Sequence, residues 1–173
     1  LLAQGFLERY PLLYVIKSIS KSYGVPGLRL GIAASGDRDA IKRIKEDVSI
    51  WNINSFAECY LQVSEKYKAE YEEALARFRE EREQMWKELS AVPGLRVFPS
   101  QANYFMAELQ NGMSSGSLVN RLLRHDILIK DLSGKMGCGR QFIRVAVRKR
   151  DENSRLASVL RQEMGDYSAG RLD

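Results

Sequence analysis

"SISKSYGVPGLRLG", Ser18 to Gly31, sets one lysine, Lys21, between an apolar run and a glycine-rich turn, with Arg29 eight residues further on. Just before it, "LLYVIKSI" reads as a short, largely apolar strand of the kind buried inside a larger sheet. Earlier still, "LLAQGFLERYP" reads as the tail of a helix and a loop. On the other side "LRLGIAAS" alternates and is rich in aliphatic residues, which predicts a second strand ending at Ser35 and Gly36.

Three readings of Lys21 compete. A lysine in a turn of Gly, Pro and Ser is ordinarily a solvated charge. A phosphate cradle fits less well: the GxxxxGK[ST] order is absent, and "GVPGLRLG" leads into a strand where a dinucleotide fingerprint needs a helix. The third reading uses every polar residue. A lysine fixed at the end of a buried strand can form a Schiff base with a carbonyl cofactor, provided that burial or cationic neighbours keep its amine partly neutral. The hydroxyls of Ser18 and Ser20 and the planar fork of Arg29 could then hold a phosphate ester.

Composition bounds the alternatives. A chain of 173 residues, 45% hydrophobic and 28% charged, has the make-up of a soluble globular protein and the length of one ordinary domain, or of a small domain plus part of another. Lys and Arg outnumber Asp and Glu by 27 to 22, but they are interleaved with Glu in helical segments such as "EEALARFREEREQMWKEL". That is a solvated face and not a nucleic-acid stripe. "VRKR", Val147 to Arg150, reads as a strand end meeting solvent. Cys59 and Cys138 form no CxxC and have no histidine at metal-ligand spacing, so no metal is expected and a reducing, cytoplasmic setting suits them. No apolar run approaches the roughly twenty residues of a membrane span. "LLAQGFLERYPLLYVIK" has neither a basic leader nor a small-residue cleavage site, and its opening in mid-architecture predicts a fragment of a longer protein.

The rest alternates helix and strand. "DRDAIKRIKEDV" has an acidic start and the helical spacing of Ile41, Ile44 and Val48. From Asn54 the apolar residues recur at threes and fours through Leu89, giving one long helix or two nearly continuous ones, capped by Asn54 or Ser55 and ended by Pro93-Gly94. "LRVFPS" and "NYFMAEL" read as strands, and "SGSLVNRLLRHD" as a helix with Leu118, Leu122 and Leu123 inward. A short strand "ILIKD", the loop "LSGKMGCGR", the alternating strand "QFIRVAVR" and a closing helix from Asp151 or Asn153 to about Met164 complete the chain. This is an α/β or α+β layered fold. In "FIRVAV" the alternation puts Ile143, Val145 and Val147 on one face and Arg144 on the other, where it meets solvent or a site.

The order S-x-S-K-x-x-G-x-x-G-L-R-x-G resembles the lysine segment of fold-type I pyridoxal-phosphate enzymes, the class I/II aminotransferases. The likeness is nearest to their histidinol-phosphate aminotransferase and threonine-phosphate decarboxylase branch. "WNINSFAE", "PSQANYF" and "FIRVAV" resemble, in order, the family's opening of the interdomain helix, its small-domain strand and its carboxylate-binding strand. The resemblance implies the end of the large cofactor domain at 1–54, an interdomain helix at 55–92 and a small C-terminal α/β domain at 93–173. It implies that pyridoxal 5'-phosphate is the cofactor and Lys21 its Schiff-base residue. Ser18 and Arg29 would be phosphate ligands, Ser20 a supporting hydroxyl, and Arg144 the arginine for the substrate carboxylate. The family places an acidic residue for the pyridine nitrogen and a stacked aromatic upstream of the lysine, so the chain alone is expected to be inactive. The full protein is expected to be a homodimer in the cytoplasm, acting on an amino acid, phosphorylated or not, and a 2-oxo acid, with no nucleic acid or membrane partner.

Transamination is the leading expectation. Decarboxylation of the threonine-phosphate decarboxylase type uses the same residues, and a non-catalytic module of a fusion protein is the reading from another class. Among other residues, His125 is expected at the surface or in a cap, Tyr23 and Trp51 are expected to pack, and Asn103 is open between turn and ligand.

Overall fold

The computed structural model describes residues 5–137 and 139–170, so Cys138 lies outside the described residues. The chain divides into two compact units, Leu1–Glu73 and Ala74–Asp173.

In the first unit a short helix α1 (Phe6–Arg9) precedes strand β1 (Tyr14–Ser18), helix α2 (Ile19–Ser22), strand β2 (Gly31–Ser35) and helices α3 (Arg38–Asp47) and α4 (Ser55–Ser64). The two strands pair antiparallel, Tyr14 against Ser35 and Ser18 against Gly31. Strand β1, read as one buried inside a larger sheet, is open here: Ile16 is 84% exposed, because among the described residues each strand has a single neighbour. At Gly36, directly after β2, a Cβ would fall 2.2 Å from the Leu7 carbonyl oxygen, so only glycine admits this approach of backbone to backbone. Helix α3 is capped by Asp37, whose carboxylate accepts from the Ala40 amide at 2.9 Å. Asn54 caps α4 in the same way, accepting from Ala57 at 2.9 Å. After a 3-10 turn at Glu65–Tyr67 the helix resumes as α5 (Lys68–Ser90), the two nearly continuous helices of the sequence reading.

The second unit holds strands β3 (Leu95–Val97), β4 (Tyr104–Leu109), β5 (Lys130–Asp131) and β6 (Phe142–Ala146), with helices α6 (Ser115–Leu123), α7 (Ser133–Met136) and α8 (Arg150–Ser168). The strands form one antiparallel sheet in the order β3-β4-β6-β5. Alternation sends Leu95, Phe105, Ala107, Leu109, Ile143 and Val145 to one side. There they pack with Met85 and Leu89 of α5, Leu118 and Leu122 of α6, and Leu156, Leu160 and Met164 of α8. Each of these Leu, Ile, Val, Phe and Met side chains contributes about 1.5–3 kcal/mol by leaving water. Gly94, at φ 75°, makes the turn from α5 into β3. Glu81 of α5 accepts from Arg150 at the start of α8 and holds that guanidinium's pKa above its ordinary value.

Four further expectations need correction here. Leu123 is exposed: Leu118 and Leu122, four apart, take the inward stripe, and Leu123 lies about 100° further round the helix. The "ILIKD" strand shrinks to two residues, and "LSGKMGCGR" contains the short helix α7. The closing helix runs on to Ser168. Among the described residues no helix is long and apolar enough to cross a membrane.

Candidate functional site

Ser18 ends β1 and is also the N-cap of α2, with extended dihedrals (φ −76°, ψ 127°) and no capping bond from its side chain. The chain then makes one helical turn, so Lys21 stands in α2, three residues past the strand end at which the sequence reading placed it. The turn buries Ile19 and Ser20 and leaves Lys21 exposed. Its last turn is tied down from the side: Tyr71 donates its hydroxyl to the Ser22 carbonyl at 3.0 Å, and the rings of Tyr23 and Tyr71 stack at 4.5 Å. Tyr23 packs as expected. Asn54 also donates to the Leu28 carbonyl at 3.0 Å, fixing the turn that leads back to β2.

Arg29 sits in that turn with φ 55° and ψ 36°, a left-handed conformation costing an L-residue about 1–2 kcal/mol. Its guanidinium donates to the Pro26 carbonyl at 3.1 Å. Because Ile19 donates its amide to the Leu30 carbonyl at 3.3 Å, the hairpin brings the Ser18–Lys21 turn and the Arg29 turn to one end of the strand pair. One exposed amine, two hydroxyls and a guanidinium gathered there are a donor set that suits a carbonyl compound carrying a phosphate ester.

Arg144 belongs to the second unit. Its neighbours Ile143, Val145 and Val147 are buried as the alternation requires, while Arg144 is exposed on the other face of the sheet. Cross-strand partners share that face: Met106 of β4 on one side of Arg144 and Lys130 of β5 on the other. The guanidinium carbon lies 5.1 Å from the centre of the Tyr104 ring, a cation–π contact. Among the described residues neither Lys130 nor Arg144 is in an ion pair. Toward β3 the face closes over itself. Glu108, buried, is gripped by Arg140 through a two-pronged contact and by Arg96 at 3.8 Å, and these arginines cover the Phe142 and Phe98 rings. The sequence reading missed Lys130; its signal was the alternation of Ile127, Leu128, Ile129 and Lys130, which sets it on the face opposite Ile129.

Behind Lys130 lies a polar knot. Asp131 accepts from the Ser133 amide at 2.8 Å and from the Ser115 hydroxyl at 2.7 Å. Ser115, fully buried at the start of α6, donates its own amide to the Gln141 side-chain oxygen at 2.9 Å. The Ser133 amide first, then the Ser115 hydroxyl, hold the Asp131 carboxyl below its ordinary pKa.

Of the other residues singled out, His125 places Nε2 2.7 Å from the buried Glu163 carboxylate. Asn103 acts through its backbone, accepting from Val147 at 2.9 Å. Trp51 does not pack, being 89% exposed, and Cys59 is a free, exposed thiol.

Residues 2–160 match the family described as aminotransferase class I and II. The chain is 36% identical to CMP-5'-(3-aminopropyl)phosphonate synthase of Streptomyces rubellomurinus, over 97% of this chain and 28% of that protein. It is 31% identical to L-serine phosphate decarboxylase of Sulfurospirillum multivorans, over 92% of this chain and 41% of that one. The fold superposes on the crystal structure of histidinol-phosphate aminotransferase from Clostridium acetobutylicum with a TM-score of 0.81 at 27% identity, covering 92% of this chain and 48% of that chain. The chain thus spans less than half the length of each of these relatives.

Proposed function

We propose roles for Lys21 and Arg144 from one premise: this chain belongs to the aminotransferase class I and II family, whose cofactor is pyridoxal 5'-phosphate. In this reading the chain is the C-terminal portion of a longer enzyme, with 1–54 closing the cofactor domain, 55–92 as interdomain helix and 93–173 as small domain. Ser18 and Arg29 would hold the cofactor's phosphate, with Ser20 as a supporting hydroxyl, and Lys21 would offer the amine that attaches it. When bound, the cofactor supplies a conjugated ring that accepts electrons from a bond to the substrate's Cα. Lys21, once free, moves a proton at Cα. Arg144 holds the α-carboxylate, its planar fork matching the two oxygens.

The substrate class is an amino acid bearing a phosphate or phosphonate group. One observation carries it: Lys130 and Arg144 stand directly opposite each other on one sheet face, and among the described residues neither is in an ion pair. Like charges so placed cost stability, and a ligand with two anionic groups repays that cost. The names of the relatives, a serine phosphate decarboxylase and a phosphonate synthase, agree with such a substrate. We read the reaction as decarboxylation in line with the first. Transamination is the second reading, favoured by the likeness to a histidinol-phosphate aminotransferase. A homodimer and a cytoplasmic setting go with both.

The test is to supply the complete natural protein with pyridoxal phosphate, 2-oxoglutarate and carboxyl-labelled O-phospho-L-serine. Labelled carbon dioxide with phosphoethanolamine supports decarboxylation, and glutamate supports transamination. Equal turnover of L-serine and O-phospho-L-serine would refute the substrate class.

A further inference from the structure

We infer that Asp131 is the positioning residue of the Lys130–Arg144 pair, holding Lys130 at its place beside Arg144 through Ser115; this rests on the substrate reading above. Strand β5 has only two residues and lies at the edge of the sheet. So short a ladder does little to fix a side chain. The repulsion between Lys130 and Arg144 acts to push this edge away from β6.

Asp131 opposes that push. Its partner across the ladder is Ile143, so its side chain lies on the helix-covered side while Lys130 is on the open one. Its carboxylate is bound by the Ser133 amide, which stops the chain just past β5, and by the Ser115 hydroxyl. Ser115 is itself fully buried, at the first position of a helix anchored in the core by Leu118 and Leu122. The same serine binds Gln141, the residue that leads into β6 three positions before Arg144. Its hydroxyl oxygen lies 3.0 Å from the Gln141 oxygen, and its single proton goes to the Asp131 carboxylate. Both strands that carry the cations are therefore referred to one buried point. Asp131 touches no substrate; it acts through Lys130.

The experiment compares Lys130→Ala, Asp131→Ala, Asp131→Asn and Ser115→Ala in the complete natural protein. Two quantities are read: the ratio of kcat/KM for O-phospho-L-serine to that for L-serine, and the calorimetric Kd of the cofactor-free protein for O-phospho-L-serine. Asp131→Ala should lower the ratio and weaken binding by about ten-fold or more, as a misplaced positioning group does, with the change in KM. Asp131→Asn, which keeps one acceptor oxygen, should recover part of the loss, and Ser115→Ala should fall between. A purely structural role would lower the folded fraction, read by thermal melting, and leave the ratio unchanged. Should Lys130→Ala lower the ratio while all three other variants keep it, the positioning role is overturned and the substrate reading stands. Should Lys130→Ala itself keep the ratio, both fall.

Discussion

Removing Glu163 should unfold the second unit more readily than any change at its surface. The Glu163 carboxylate lies 3.5 Å from the Arg121 guanidinium and 2.7 Å from His125, and the Glu163 and Arg121 side chains are 10% and 8% exposed. Breaking a buried pair by deleting one partner costs about 3–5 kcal/mol, because the remaining charge stays buried. The Tyr167 ring, 5.8 Å from the Arg121 guanidinium, stays beside that charge and keeps the loss toward the lower end of this range. Glu163→Ala should therefore cost about 3 kcal/mol, which for a unit of this size lowers Tm by roughly 12–24 °C. Trp86 packs against the core of this unit with its ring 5.7 Å from Phe105, and its fluorescence in a Trp51→Phe background reports urea unfolding there. The double variant Arg121→Leu with Glu163→Leu should be close to the parent, since well-packed apolar residues replace a buried pair at little cost. A loss below about 1 kcal/mol for Glu163→Ala at unchanged m-value would refute the reasoning.

Borohydride reduction of the complete protein with its cofactor should leave the label on Lys21, read by peptide mass spectrometry; label on Lys17 would reassign the lysine. Arg29→Ala should weaken cofactor binding about ten-fold, the loss of a charge-assisted contact, while Arg144→Ala spares the cofactor and lowers kcat/KM for amino acids. Equilibrium dialysis and steady-state kinetics separate the two, and equal effects on both quantities would mean that the roles are wrong. Asp131 also gives the second unit an acid limb. Its folded pKa is depressed, so its stabilisation is complete above the unfolded value near 3.8 and is lost as pH falls through the lower folded value. Asp131→Asn should flatten that limb of a urea-midpoint profile, and an unchanged limb would assign it elsewhere.

What was legible in the sequence is local chemistry. Asn54 caps because its side chain reaches an amide three residues on, and nothing distant alters that. Arg144 could be set opposite Ile143 and Val145 because strand alternation has period two. Matters depending on neighbours were harder to read. The apolar pattern of β1 asks for burial, yet burial belongs to whatever covers a strand and not to the strand itself. Trp51 illustrates the same gap. Lys130 became visible as a candidate only through register: its meaning comes from a residue fourteen positions away on the adjoining strand. Lys21 was singled out by motif, but its place within α2 depends on Ser18 taking the capping conformation.

The left-handed backbone at Arg29 sets the phosphate contact proposed for its guanidinium against stability. Glycine adopts φ 55° without penalty, so Arg29→Gly should stabilise the first unit by relieving a strain of about 1 kcal/mol. Any screen that rewards heat resistance alone would drift toward that substitution and discard the guanidinium with it. Thermostability engineering on this scaffold should therefore hold position 29 fixed and seek its gains at the caps and the core.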